Sequence, residues 1–224
     1  MDLTTAVIYF ARNGKEEVKH KVFCNSNSGL NNAIALQLYN HTYNQVAKTG
    51  LPFFCYTEQN QQGSNFSEKL ANAFREVFQK GYYSVIAVGS DSPGMTASHI
   101  TEAAHRLVDG EVVAGTTAQG GCYLIGVQQQ AFDYSKFTKL SWQTRNLAHH
   151  IKVAFNAVVL LPVLSEVNNQ RHLLGLINGS RTVKASIRHL IQLINSYRVN
   201  RVFSFQILLA PHPFLFNNSF GRAP

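Results

Sequence analysis

Apolar residues in this chain fall into two alternating kinds of segment. Short unbroken runs, Thr5–Ala11, Phe53–Tyr56, Tyr82–Val88, Glu111–Gly115, Cys122–Val127 and Ala157–Leu161, have the length and β-rich character of strands, mostly buried on both faces. Between them, apolar residues recur at helical spacing. Leu30, Ala33, Ile34 and Leu38 open a helix capped by Asn27 or Ser28 and running to about Ala47. Phe66, Leu70, Ala73, Phe74 and Val77 mark a second helix, and Ile100, Ala103, Ala104 and Leu107 a third. A helix from Ser141, with Ser141 as its cap, to about Phe155 is also expected, as are helices over Arg171–Leu176 and Thr182–Tyr197 and a strand over Arg201–Leu209. Strands alternating with helices predict one three-layer α/β/α domain with a mostly parallel sheet. It is expected to span residues 1–200, with a C-terminal strand and aromatic tail over 201–224.

In such a sheet, ligands bind outside the carboxyl ends of the strands. The loops that follow the predicted strands are therefore where chemistry is sought. Arg12–Lys21 is polar and carries four bases, Arg12, Lys15, Lys19 and Lys21. Glu58–Gly63 is a polar loop, and Thr116–Gly121 is built of small residues with Gly120 and Gly121 adjacent. The run Val85–Val88 stops at Gly89-Ser90-Asp91-Ser92-Pro93-Gly94, which places one carboxylate, Asp91, between a buried strand and the next helix. On this stretch alone, Asp91 reads equally as a site residue and as the former of an Asx turn or helix cap.

Charge changes the picture modestly. The formal charge of +8 reflects a shortage of acids, with aspartate only at positions 2, 91, 109 and 133. A basic balance favours phosphate-bearing partners, whereas a hard divalent cation wants carboxylates that are scarce here. No polybasic run or nucleic-acid-binding module is present, so no nucleic-acid partner is expected. Cys24, Cys55 and Cys122 form neither a pair nor a metal-ligand spacing, which suits a reducing compartment. Residues 1–11 do not read as a signal peptide, and the apolar stretches are too short to span a bilayer; a cytoplasmic location is expected. The chain has no G-x-S-x-G elbow, no Walker lysine loop, no G-x-G-x-x-G after its first strand and no zinc spacing among its histidines. The sheet-edge loops thus point to a nucleotide site rather than to a proton-shuttling one.

Several of these stretches, in order, resemble a family. Phe10-Ala11-Arg12, Lys19-His20-Lys21, the segment Gln61–Phe74, Gly89–Thr96, Gln119–Gly126 and Trp142-Gln143-Thr144 are similar to motifs of bacterial GT-A-like glycosyltransferases of the arsenosugar-biosynthesis type, relatives of nucleotidyltransferases. The resemblance covers roughly residues 5 to 175. It implies a nucleotide-diphospho-sugar transferase fold and glycosyl transfer from a nucleotide sugar, with Mg²⁺ or Mn²⁺ supporting the leaving diphosphate. Alternatives within that implication are nucleotidyl transfer, or a catalytically impaired relative that binds a nucleotide or a protein. Carried onto this chain, Asp91 becomes the catalytic residue, and Asp91 with Glu166 the metal ligands. Arg12, Lys19, Lys21, Ser90, Gln119, Gly120, Gly121 and Trp142 become substrate-binding. Two departures stand out: the family acid before Gly-Gly is Gln119, and the late acidic motif is Glu166-Val167-Asn168. An amide oxygen contributes no charge to a divalent site, so both changes weaken it.

Overall fold

Thr5–Phe10 (β1) alternates its side chains between two cores: Ala6 and Ile8 face one helical layer, Val7 and Tyr9 the other. The same division holds for Ser84–Val88 (β3) and Val112–Thr116 (β4), and every residue of both strands is buried. This is why these strands read as continuous apolar runs rather than as alternating ones. The computed structural model describes residues 5–25, 27–109 and 112–179.

Phe53–Tyr56 (β2), Cys122–Gln128 (β5) and Val158–Leu160 (β6) complete a six-stranded sheet of order β2-β1-β3-β5-β4-β6. All neighbouring pairs are parallel except those made by β5, which runs antiparallel to both β3 and β4. The reversal follows from length. Thr117–Gly121 is too short for the crossover of a dozen or more residues that a parallel partner requires, so β4 and β5 form a hairpin.

Helices cover both faces. Ser28–Ala47, capped by Asn27, and Ala97–Asp109 lie on one side; Phe66–Gln79, Tyr134–Lys139 and Leu147–Ala154 lie on the other. With the short Gly14–Glu17 and the last Gln170–Gly179, they are α1 to α7 in chain order. A third, smaller core of Phe23, Leu30, Ile34, Leu38, Val167 and Leu173 clamps α2, the segment before it and α7 together. None of the helices among the described residues is long and apolar enough to cross a membrane.

Two expectations are corrected. Arg12–Lys21 is not all loop: Asn13 accepts the Glu16 N–H through Oδ1 at 3.0 Å and caps α1, and Gly14 lies so close to α2 that a Cβ would meet the Leu36 backbone. Nor does a helix start at Ser141. Trp142 N–H turns back to the Leu140 carbonyl at 2.8 Å and Gln143 takes φ +62°, which a continuing helix forbids. The helical turn instead falls earlier, in α5, where Asp133 caps Lys136, and α6 begins at Leu147. The helix expected over Thr182–Tyr197 and the strand over Arg201–Leu209 lie outside the described residues.

Candidate functional site

β2 leaves β1 on one side and β3 returns on the other, so the strand order switches between β1 and β3. Open α/β sheets have a crevice at this point, outside the carboxyl ends. Here it is a cavity of about 340 Å³, at the small end of the range for ligand sites. Residues after β1 (Arg12, Glu17, Lys21), after β3 (Ser90, Asp91), after β4 (Thr117, Gln119) and after β6 (Glu166, Asn168) converge on it.

The first wall is an ionic ladder. Lys21 Nζ lies 2.7 Å from Glu17 Oε1 and 2.6 Å from Asp91 Oδ1, and Arg12 Nη1 lies 3.3 Å from Glu17 Oε2. The side chains of Glu17 and Lys21 are only 10% and 16% exposed, whereas Asp91 is 41% exposed and forms the cavity-side end. Desolvation pulls the Lys21 pKa down, but the charges of Asp91 and Glu17 and the hydrogen bonds to them more than offset it. The ammonium ends above the ordinary lysine value and stays charged. The spacing of Glu17 and Lys21, four residues apart, puts them together as the chain leaves α1.

The second wall satisfies its carboxylate differently. Thr117 Oγ1 donates to Glu166 Oε2 at 2.9 Å, and Asn168 Nδ2 donates to Glu166 Oε1 at 2.7 Å. Gln119 Oε1 accepts the Glu166 N–H at 3.2 Å, and the Gly121 N–H donates to Thr117 Oγ1 at 2.7 Å. The two walls are tied by the backbone, where Val167 N–H donates to the Asp91 carbonyl at 2.7 Å. The inner end is aromatic. Phe66 packs edge-on to both Phe10 and Trp142, with ring centroids 5.7 and 5.8 Å away, and Trp142 gives its indole N–H to the Phe137 carbonyl. Cys122 also lines the cavity; burial pushes its thiol up to about 12, so it is no thiolate nucleophile.

The structure thus brings Arg12, Lys21, Ser90, Asp91, Gln119, Gly121, Trp142 and Glu166 to one cavity. It leaves Lys19 out: its ammonium sits 2.6 Å from Glu16, three residues earlier, on a side chain 67% exposed. Gly120 is also not in the lining. It takes φ +97°, and a Cβ there would meet the Arg145 backbone, so it serves the turn. Gly121 makes room for the Glu166 carboxylate rather than opening a path for an acceptor. Glu17, Thr117 and Phe66 are lining residues that the pattern did not single out. The i,i+4 spacing of Glu17 and Lys21 was the available signal for the first.

The residues do not fit a divalent cation as they stand. Asp91 is held by an ammonium, Glu166 by a hydroxyl and an amide N–H₂, and the Gln119 oxygen by a backbone N–H. No group of three or more His, Cys, Asp or Glu side chains among the described residues comes together to hold a metal. A hard cation prefers several free oxygens, and each of these carries a proton donor instead.

Residues 34–144 match the model of a family described as an uncharacterized protein conserved in bacteria (DUF2064), which bears out the motif resemblance. No curated protein matches the chain. Among solved structures, a protein from Desulfovibrio desulfuricans G20, provisionally named a nucleotide-diphospho-sugar transferase, superimposes with a TM-score of 0.72 at 19% identity. The match covers 86% of this chain and 97% of that one. A 4-diphosphocytidyl-2C-methyl-D-erythritol synthase from Anaerococcus prevotii DSM 20548 gives 0.49 at 7% identity, covering 77% and 96%. Rv0371c from Mycobacterium tuberculosis H37Rv, in complex with manganese, gives 0.44 at 12%, covering 80% and 100%. The fold is that of nucleotide-diphospho-sugar transferases.

Proposed function

We propose that this chain, with its nucleotide-diphospho-sugar transferase fold, binds a nucleotide sugar in the cavity at the β1–β3 switch point and transfers the glycosyl group. The observation that carries the reading is the pairing, in one cavity, of an aromatic inner end with a buried, charged lysine and an arginine. The base stacks against Phe66 and Trp142, the ribose meets Ser90 and Gln119, and the diphosphate meets Arg12 and Lys21. In the transfer, the bond from the anomeric carbon to the phosphate oxygen breaks and a bond to an acceptor hydroxyl forms, with release of the hydroxyl proton. Negative charge then grows on the leaving diphosphate, where fixed cations stabilise it most.

Calorimetric titration with UDP-, GDP-, CDP- and ADP-glucose tests binding. One of them binds, and Trp142→Ala weakens it about tenfold, the order of one base-aromatic stack. Failure of every nucleotide to bind would refute the reading. Mass spectrometry of products with a nucleotide sugar, or with a nucleoside triphosphate and a sugar 1-phosphate, separates glycosyl from nucleotidyl transfer. Binding without any turnover would identify a non-catalytic relative, a reading favoured by the amides at Gln119 and Asn168 where the resemblance implies acids.

A further inference from the structure

Lys21 has two counter-ions of different standing. Glu17 is almost wholly enclosed and is shared with Arg12, which makes it a permanent partner. Asp91 is the exposed one, standing between the ammonium and the cavity on the turn Ser90–Gly94. Lys21 is its one side-chain partner among the described residues. Its backbone, in contrast, is held through the Val167 N–H, so the carboxylate can swing while the turn stays in place. Across the cavity, Glu166 is fully engaged by Thr117 and Asn168 and offers nothing to a cation shared with Asp91.

We propose that Asp91 is a displaceable counter-ion of Lys21 rather than a metal ligand, and that a donor phosphate takes its place on the ammonium without a divalent cation. This rests on the nucleotide reading for the identity of the donor, but not for the chemistry. A phosphate oxygen and a carboxylate oxygen are alternative acceptors for the same charged N–H, and the incoming group needs only to replace one with the other. Lys21 is already inside the fold as a fixed positive charge. A metal would have to expel it from Asp91 before binding.

The roles differ in sign. If Asp91 is a counter-ion, Asp91→Asn frees Lys21 and binding tightens; if Asp91 is a metal ligand, the same change abolishes metal-dependent binding. The experiment titrates UDP and inorganic pyrophosphate into wild type and Asp91→Asn by calorimetry, in EDTA and in Mn²⁺, with folding checked by circular dichroism. Wild-type affinity is expected to be equal within about twofold in the two buffers, and Asp91→Asn to tighten it about tenfold in EDTA, as loss of a competing charge-assisted contact requires. Lys21→Met weakens it at least about tenfold, and Lys21→Arg retains most of it. Binding that needs Mn²⁺, or that weakens in Asp91→Asn, overturns the proposal while leaving the nucleotide reading in place. Tightened pyrophosphate binding with no nucleotide binding sustains the proposal and refutes that reading. Absence of binding by either probe refutes both.

Discussion

The two walls of the cavity each hold carboxylate, and they neutralise it in opposite ways. On the first, Glu17 and Asp91 face Lys21 and Arg12, charge against charge. On the second, Glu166 keeps its charge among neutral donors, the Thr117 hydroxyl and the Asn168 amide. The difference gives the amides at Gln119 and Asn168 a physical role. An acid at position 168 would place like charge beside Glu166 and require a cation between them; the amide turns the same contact into a hydrogen bond. Position 119 likewise uses its oxygen to fasten the loop after β6. The site is self-consistent around an internal ammonium.

This contrast can be broken at four places. The largest effect belongs to Glu17→Ala, which strands Lys21 and Arg12 and is expected to cost about 3 kcal/mol in urea unfolding, since breaking a mostly enclosed pair leaves a charge uncompensated. A loss under about 1 kcal/mol would mean that the ladder is solvated and contributes no more than a surface pair. Glu166→Gln, on the wall of neutral donors, should cost about 1 to 2 kcal/mol in the same measurement, the weight of one charge-assisted hydrogen bond. If it equals or exceeds Glu17→Ala, the two walls are not different in kind.

A smaller, pH-dependent effect concerns the support of the first wall. His41 Nε2–H donates to the Met95 carbonyl at 2.9 Å, joining α2 to the segment after the Asp91 turn. Burial holds its pKa below the ordinary 6.5, with the Met95 bond opposing and Lys48 adding to the lowering. The unfolded chain therefore takes up its proton first, so this contribution is intact above about 6.5 and is lost as pH falls through the depressed folded value. Thermal melts between pH 7.5 and 5 should decline, and His41→Gln should flatten that decline; parallel curves for the two proteins would refute it. The smallest effect is at Ser92, whose enclosed Oγ finds no hydrogen-bond partner among the described residues. Ser92→Ala should leave stability unchanged or raise it by up to about 1 kcal/mol. A clear loss in urea unfolding would show that the hydroxyl has a partner in solution.

Much of the fold was legible because its signals are local. β1, β2, β3 and β5 are continuous apolar runs, α2 and α3 carry both a stripe and an Asn cap, and Asp91 follows a buried strand at a Pro-Gly turn. The failures are also local. The helix expected from Ser141 has a correct apolar pattern, but Trp142 turns inward to the aromatic cluster, and that contact overrides the cap. Lys19 and Lys21 look alike in sequence, yet one is drawn out to Glu16 and the other inward to Glu17.

By itself, the sequence determined the α/β alternation, the carboxyl-edge location of the chemistry and the presence of Asp91, Gln119 and Glu166 in it. Hydrophobic periodicity and turn residues act over a few positions and carry that information directly. Only the tertiary structure decided which charge meets which: that Lys21 reaches Asp91 across 70 residues, that Asn168 faces Glu166 with its N–H₂, and that Gly121 yields its space to a carboxylate. Electrostatic partnership depends on distance and burial after the chain has closed on itself, and neither is written in the spacing of residues along it.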